Sequence, residues 1–268
     1  MKFDARQLPL FAAIFLVIPA LAWLAFQNQQ ELAVLRELQA LQAEKTEQPP
    51  QTAPDKEETP PPVIAPHTEA IEALEGETGL NLSRLAKLII RDEGDRSRPY
   101  LDGGGVPTVG VGRNLKGNGL SIAELHAIAG EVDYKLLLSQ SRVQNGRVYI
   151  ESISLANQVF VKPLTEADIQ LLLADDLKNV ISEAKQVFPK AWGQLNAARK
   201  EVVIDVLFNL GLTRFRTFEH FIAAVKRQDW KSAGDELLKS VAARENPGRY
   251  FRNYHVMVTG DDRHFELR

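Results

Sequence analysis

Seven prolines stand between residues 46 and 68, set among Glu, Lys, Thr and Gln (EQPPQTAPDKEETPPPVIAPH). Proline fixes φ and donates no backbone hydrogen bond, and the residues around it offer no apolar face. No core can run through such a stretch, so anything that folds lies to one side of it. The expectation is a disordered linker over residues 46–78, with 69–78 a weakly helical approach to the folded part of the chain. At about 3.1 Å per residue it would carry a domain on the order of tens of ångströms.

Before the linker, Leu8 to Phe26 runs 19 residues without a charge. As a helix it would span about 28 Å, close to the thickness of a bilayer core. Lys2 and Arg6 precede it and the first charge after it is Glu31. The positive-inside rule then predicts a cytoplasmic segment 1–7, a transmembrane signal-anchor 8–26 and everything later outside the cytoplasm. Ala20-Leu21-Ala22 also fits a small-x-small cleavage site, so secretion after cleavage near Ala22 is the alternative. Leu32, Leu35, Leu38 and Leu41 are spaced for a helical stalk over 27–45. The repeat is too brief to separate a solvated helix from a stalk-mediated dimer.

Charge divides at the same place. Residues 1–78 hold 5 Lys+Arg against 12 Asp+Glu, and residues 79–268 hold 27 against 23. The later part is mildly basic but has no dense basic stripe, which argues against nucleic acid as a partner. Cysteine is absent, which removes disulfides and thiolate chemistry, and the five histidines lack metal-ligand spacing, so no metal is expected.

Residues 79–268 read as one α+β catalytic domain. Leu82, Leu85 and Ile89 recur at helical spacing, and β-like pieces come next at Tyr100–Leu101 and Thr108–Gly112. Ser121 to Glu124 matches a capping box, and Asn145-Gly146 a hairpin turn. Thr165 opens a long helix running to about Phe188, before Pro189. Helices are predicted over 196–210, ended by Gly211, and over 217–228, 230–240 and 247–258, the last with Asn246 as N-cap and Pro247 at its first position. The sum is a small α/β lobe, a long helix and an all-helical lobe.

Chemistry is concentrated in residues 91–113. Glu93 ends a helix before Gly94, Asp102 ends a strand-like piece, and Thr108 opens the next after Gly103, Gly104 and Gly105. A helix end and two strand ends can converge on one cleft. Two carboxyls and a hydroxyl there could protonate a glycosidic oxygen and place a water on the far side of the sugar. Taken alone, a solvated turn is the better explanation of these residues. Asp92, Asp95 and Asp102 lack the alternation of a calcium loop.

Glu93-Gly94, Tyr100-Leu101-Asp102, Gly105 and Thr108-Val109-Gly110-Val111-Gly112 together resemble the signature of the phage-type lysozymes, or endolysins, of glycoside hydrolase family 24. The resemblance covers about residues 79–260, with 131–163 longer than the family pattern. Leu164–Val180 resembles that family's inter-lobe helix, and Ala198–Gly211 the central helix of its C-terminal lobe. It implies a two-lobed lysozyme-like fold and a peptidoglycan hydrolase that cuts the β-1,4 bond from N-acetylmuramic acid to N-acetylglucosamine with inversion. Glu93 would be the general acid, with Asp102 and Thr108 positioning the attacking water. No cofactor is implied. With the N-terminal reading, the domain would stand in the periplasm on a single-pass inner-membrane anchor. The alternative is a non-catalytic peptidoglycan-binding module of an envelope-spanning complex.

The resemblance also offers Asn209 and Arg249 as substrate-binding residues, Arg249 toward the peptide stem of the wall. Asn209 reads equally as a helix-terminal polar residue before Gly211, and Arg249 as a helix-surface arginine. Phe218 and Trp230 read as core rather than sugar platforms. Where the family has a histidine after its last glycine, this chain has Arg113. Counting along the inter-lobe helix places Asp176 as the expected partner of a structural Arg113–Asp176 ion pair, with Asp175 the competitor.

Overall fold

The computed structural model describes Arg36, residues 68–128 and residues 134–266. The expected anchor 8–26, the linker prolines, and all of the stalk except Arg36 lie outside the described residues. Among the described residues, no helix is long and apolar enough to cross a membrane. The domain is a helix-dominated α+β structure, and its chain forms two compact units. Pro99–Thr108 and Asn114–Lys162 belong to the first; residues 68–98, Val109–Arg113 and 163–266 belong to the second.

The second unit opens with α1 (Thr68–Thr78), where Ile71 and Leu74 are buried. The final eleven residues of the stretch assigned to the linker are therefore helix, because two apolar side chains three apart have a surface to cover. Helix α2 (Leu82–Glu93) begins at Asn81, whose side chain accepts from Arg84 N–H. It buries Leu82, Leu85, Ala86 and Ile89, the stripe that the periodicity marked. Gly94 ends it at φ 75°, a backbone conformation that a side chain disfavours, and turns the chain into β1 (Arg96–Leu101). Strands β2 (Pro107–Gly110) and β3 (Arg113–Asn114) come next, paired in the order β1–β2–β3.

The first unit carries β4 (Leu120–Ser121), α3 (Ile122–Ile128), α4 (Tyr134–Gln140), β5 (Arg142–Gln144), β6 (Arg147–Tyr149) and α5 (Ile153–Val159). Ser121 Oγ accepts from Glu124 N–H while Glu124 Oε2 accepts from Ser121 N–H, the reciprocal pair of a capping box. Asn145 and Gly146 take φ 52° and 70° and join β5 to β6 as an antiparallel hairpin, with Val143 opposite Val148. Strand β4 pairs with the other edge of β6, Leu120 opposite Val148. Leu115, Leu120, Leu125, Val148, Ile150, Val159 and Phe160 are buried in this unit. Helices α4 and α5 were absent from the sequence reading. Each has only seven residues, too few for the periodicity to declare itself.

Back in the second unit, α6 (Glu166–Val187) starts at Thr165 with a capping box to Asp168 and stops at Phe188. Helix α7 (Ala197–Arg216) carries non-helical backbone at Gly211, where the sequence placed its end. Then come α8 (Glu219–Lys226), α9 (Trp230–Lys239), α10 (Val241–Glu245) and α11 (Pro247–Thr259). The short α10 was not foreseen, and Asn246 makes no side-chain cap although Pro247 does open α11. Edge-on packing of Phe188 on Phe215 and of Phe215 on Phe221 runs through the core, and Phe218 stacks on Phe221 at 5.2 Å. Trp230 lies under the Arg199 guanidinium at 4.2 Å.

Helix α7 is buried at Val202, Val203, Ile204, Val206 and Leu207, and also at Glu201 and Asp205. Buried carboxylates need partners. Glu201 Oε2 meets Arg84 of α2 at 2.5 Å and Oε1 accepts from Asn81 N–H at 3.1 Å. Burial pushes the Glu201 carboxyl up, and the attraction of Arg84 only partly offsets it. On partly exposed Arg84 the balance is reversed: burial pulls the guanidinium down, but Glu201 and Asp262 raise it further. A carboxyl held above its unfolded value takes up a proton on folding, so its contribution to stability falls as pH rises through the folded value. Glu201→Gln removes that fall. Its melting temperature, followed by circular dichroism, should therefore gain relative to wild type as pH is raised from 4 to 7; a gap that stays constant or moves the other way would contradict this reading.

Candidate active site

Glu93 occupies the last turn of α2, where Gly94 N–H bonds Ile90 O and frees the chain to turn. Its side chain is about a quarter exposed. Oε1 accepts two hydrogen bonds, from Arg249 NH1 at 2.5 Å and from Asn209 Nδ2 at 3.1 Å. No hydrogen bond in the described residues uses Oε2. One oxygen is thereby fixed and the other left open for a reacting group.

Both donors are themselves held. Asn209 Oδ1 accepts from the Tyr250 hydroxyl at 3.0 Å, which orients its amide. Burial pushes the Tyr250 phenol up, so it stays a neutral donor. Arg249 is 2% exposed. Its Nε donates to Asp205 Oδ2 at 2.9 Å, and its NH2 donates to Asp205 Oδ1 at 2.8 Å and to Asp205 O at 3.1 Å. Asn253 Nδ2 donates to Asp205 Oδ2 at 2.6 Å. Burial alone would pull the Arg249 guanidinium down, but Asp205 and then Glu93 more than offset it and hold it charged. Of the two readings offered for Arg249, the helix-surface one does not hold: the guanidinium is buried against Glu93, because two carboxylates together hold it there.

A second pair lies alongside. Arg252 NH2 donates to Asp92 Oδ2, and Arg249 Nε stands 3.9 Å from the same oxygen. Burial lowers Arg252, with Asp92 opposing.

Asp102 and Thr108 belong to the first unit. Asp102 Oδ1 accepts from Gly104 N–H and Val106 N–H, both at 2.8 Å, and Asp102 N–H bonds Val106 O. These bonds close the turn through the three glycines, and none of them uses Oδ2. Thr108 is 2% exposed and its hydroxyl donates to Val106 O at 3.0 Å. With its proton committed, Thr108 Oγ1 can only accept from a water.

Arg113, 1% exposed, donates from NH1 to Asp176 Oδ1 at 2.5 Å and from NH1 and NH2 to Asp175 Oδ2 at 3.1 and 3.0 Å. Both acids named in the sequence as partner and competitor share the guanidinium, since adjacent residues on α6 can reach its two ends. Among the described residues, no group of three or more His, Asp or Glu side chains is placed to hold a metal ion.

Residues 91–251, more than half of the chain, match the family model of phage lysozyme. The chain belongs to the phage lysozyme family. It is 22% identical over 179 residues to Probable T4-type lysozyme 1 of Dictyostelium discoideum, covering 67% of this chain and 96% of that protein. A second relative of the same organism, Probable T4-type lysozyme 2, is 20% identical over 181 residues with the same coverage. The Pre-baseplate central spike protein Gp5 of Enterobacteria phage T4 is 24% identical over 199 residues, 74% of this chain but 31% of that protein.

In this phage lysozyme domain, the residues that sequence reasoning missed are those behind Glu93: Asp92, Asp205, Tyr250 and Asn253. A signal for Asp205 was present. A lone aspartate among Val202, Val203, Ile204, Val206 and Leu207 is out of place on a buried helix unless something meets it.

Asp176→Asn turns one of the two carboxylates on Arg113 into a neutral acceptor. The variant should lose about 1.5–3 kcal/mol at neutral pH, the worth of a hydrogen bond to a charged group. Denaturant unfolding reads this directly, and a variant as stable as wild type would show that Asp175 suffices.

Proposed function

We propose that this protein is an active muramidase that cleaves the β-1,4 bond between N-acetylmuramic acid and N-acetylglucosamine in peptidoglycan. The observation that carries the reading is Glu93: one oxygen clamped by Arg249 and Asn209, the other open, in a chain of the phage lysozyme family. Glu93 Oε2 donates its proton to the glycosidic oxygen as the bond to the sugar breaks. Asp102 Oδ2 and Thr108 Oγ1 accept hydrogen bonds from a water, which turns its lone pair toward the anomeric carbon, and the Asp102 carboxylate takes one proton from that water as its oxygen bonds the carbon. Attack from the face opposite the leaving group inverts that centre.

In full-length protein, Glu93→Gln should reduce release of dye-labelled fragments from purified peptidoglycan by at least about 100-fold, since an amide cannot supply the proton. Digestion at the wild-type rate would remove Glu93 from the role of acid. NMR of the first-formed anomer tests the stereochemistry: a retained configuration would point to a covalent intermediate instead.

The enzyme would act in the periplasm of a bacterium, held to the inner membrane by residues 8–26. The alternative is a secreted form cleaved near Ala22. Deleting residues 1–26 should turn the protein soluble at unchanged specific activity. A mature chain beginning at Trp23 in wild-type cells would settle for cleavage.

The similarity to a central spike protein of a phage baseplate favours a second reading, in which the domain is a peptidoglycan-binding part of an envelope-spanning assembly. Wall pelleting with equal affinity for wild type and Glu93→Gln, and no fragment release by either, would select it.

A further inference from the structure

The groups behind Glu93 share their charges unevenly. Arg249, Arg252 and Arg91 supply three cations. Asp92, Glu93 and Asp205 supply three anions, all joined to those arginines by hydrogen bonds. Arg91 lies toward solvent on Asp92, whereas Arg249 and Asp205 are 2% and 3% exposed, so the buried guanidinium under Glu93 is divided between Asp205 and Glu93. Asp205 uses both oxygens, on Arg249 and Asn253. Asp92 uses both, on Arg252 and Arg91. Among the described residues, Glu93 Oε2 is the carboxylate oxygen of the set outside these bonds. A proton taken up by these carboxylates displaces none of these hydrogen bonds only at that oxygen. Tyr250, a neutral phenol, and Glu245, whose charge reaches it, are the other titratable groups at this place.

We propose that Asp205 is a positioning residue for proton transfer by Glu93. It grips Arg249 through two side-chain bonds, fixes the guanidinium under Glu93 Oε1, and takes up most of its charge. Glu93 can then hold a proton on Oε2 for transfer, rather than being locked as the carboxylate of an undivided ion pair. The inference rests on the reading of Glu93 as the acid. It assigns the charge of Asp205, and not only its shape, to the reaction. A merely structural aspartate would need its hydrogen bonds and not its charge at the working pH.

The test uses full-length protein in detergent micelles, with 13C-labelled glutamate. The Glu93 carboxyl signal is assigned by its loss in Glu93→Gln. Asp205→Asn keeps the shape but removes the charge, leaving Arg249 to Glu93 and the more distant Asp92. The Glu93 titration should move down by about one pH unit or more, the scale of an opposite charge at contact. The alkaline limb of the wall-cleavage profile should move down with it, with kcat falling at neutral pH and KM little changed. Asn253→Asp places a second carboxylate beside Asp205 and should move both readouts up. The double variant Asp205→Asn/Asn253→Asp should return them toward wild type. Should Asp205→Asn fail to fold, Asn253→Asp carries the test with the opposite sign. Unchanged titration of Glu93 in the folded single variants, or shifts of the wrong sign, would overturn the proposal. Should wild type cleave no peptidoglycan, the muramidase reading falls, while the Glu93 titration still decides what Asp205 does.

Discussion

A guanidinium can be buried only where carboxylates meet it, and the arrangement of the second unit depends on how Arg249 meets two. Asp205 comes from α7 and Glu93 from the end of α2, so the arginine of α11 ties three helices at one point. Breaking such a cluster costs far more than a surface ion pair contributes, because whichever partner remains is left charged and out of water. The same contact that orders the helices also orients the carboxyl on which the chemistry is proposed to turn.

Helix α7 makes this arrangement legible as a design. Its apolar residues fill the core of the unit, and two of its side chains that would be expected at a surface are turned inward instead. Glu201 and Asp205 stand four residues apart and so project from nearly the same face. One is met by Arg84 of α2 and the other by Arg249 of α11. Arg84 retains access to solvent and Arg249 does not. The first pair thus behaves as a peripheral clasp with Asp262. The second lies deep enough that each of its hydrogen bonds has a geometric consequence for Glu93.

The first unit is held together differently, by local rules rather than by buried charge. A capping box opens α3, a two-residue turn with positive φ reverses β5 into β6, and β6 is paired on both edges. Gly119 shows how tight this is: a Cβ there would lie 2.8 Å from Val148 O, at a φ of +60° that a side chain disfavours. The turn from Asp102 to Val106 obeys the same logic, with one carboxylate oxygen closing the loop through the glycines.

What the sequence alone determined is whatever depends on neighbours a few residues apart. The stripe of α2, the caps at Ser121 and Thr165, the Asn145-Gly146 turn and the break at Gly211 are written in spacings of two to four residues, and a linear reading reaches that far. Glu93, Asp102 and Thr108 lie within one short stretch, which is why a linear reading could propose them together. The helices α4, α5 and α10 were not, since five to seven residues are too few for a period to show. Tertiary structure alone decided where charges sit in the interior. Whether Arg249 reaches outward to a wall or inward to Glu93 depends on Asp205, 44 residues away, and on Glu93, 156 away. No local rule couples such separations; only packing brings those carboxylates close enough to make a buried arginine stable.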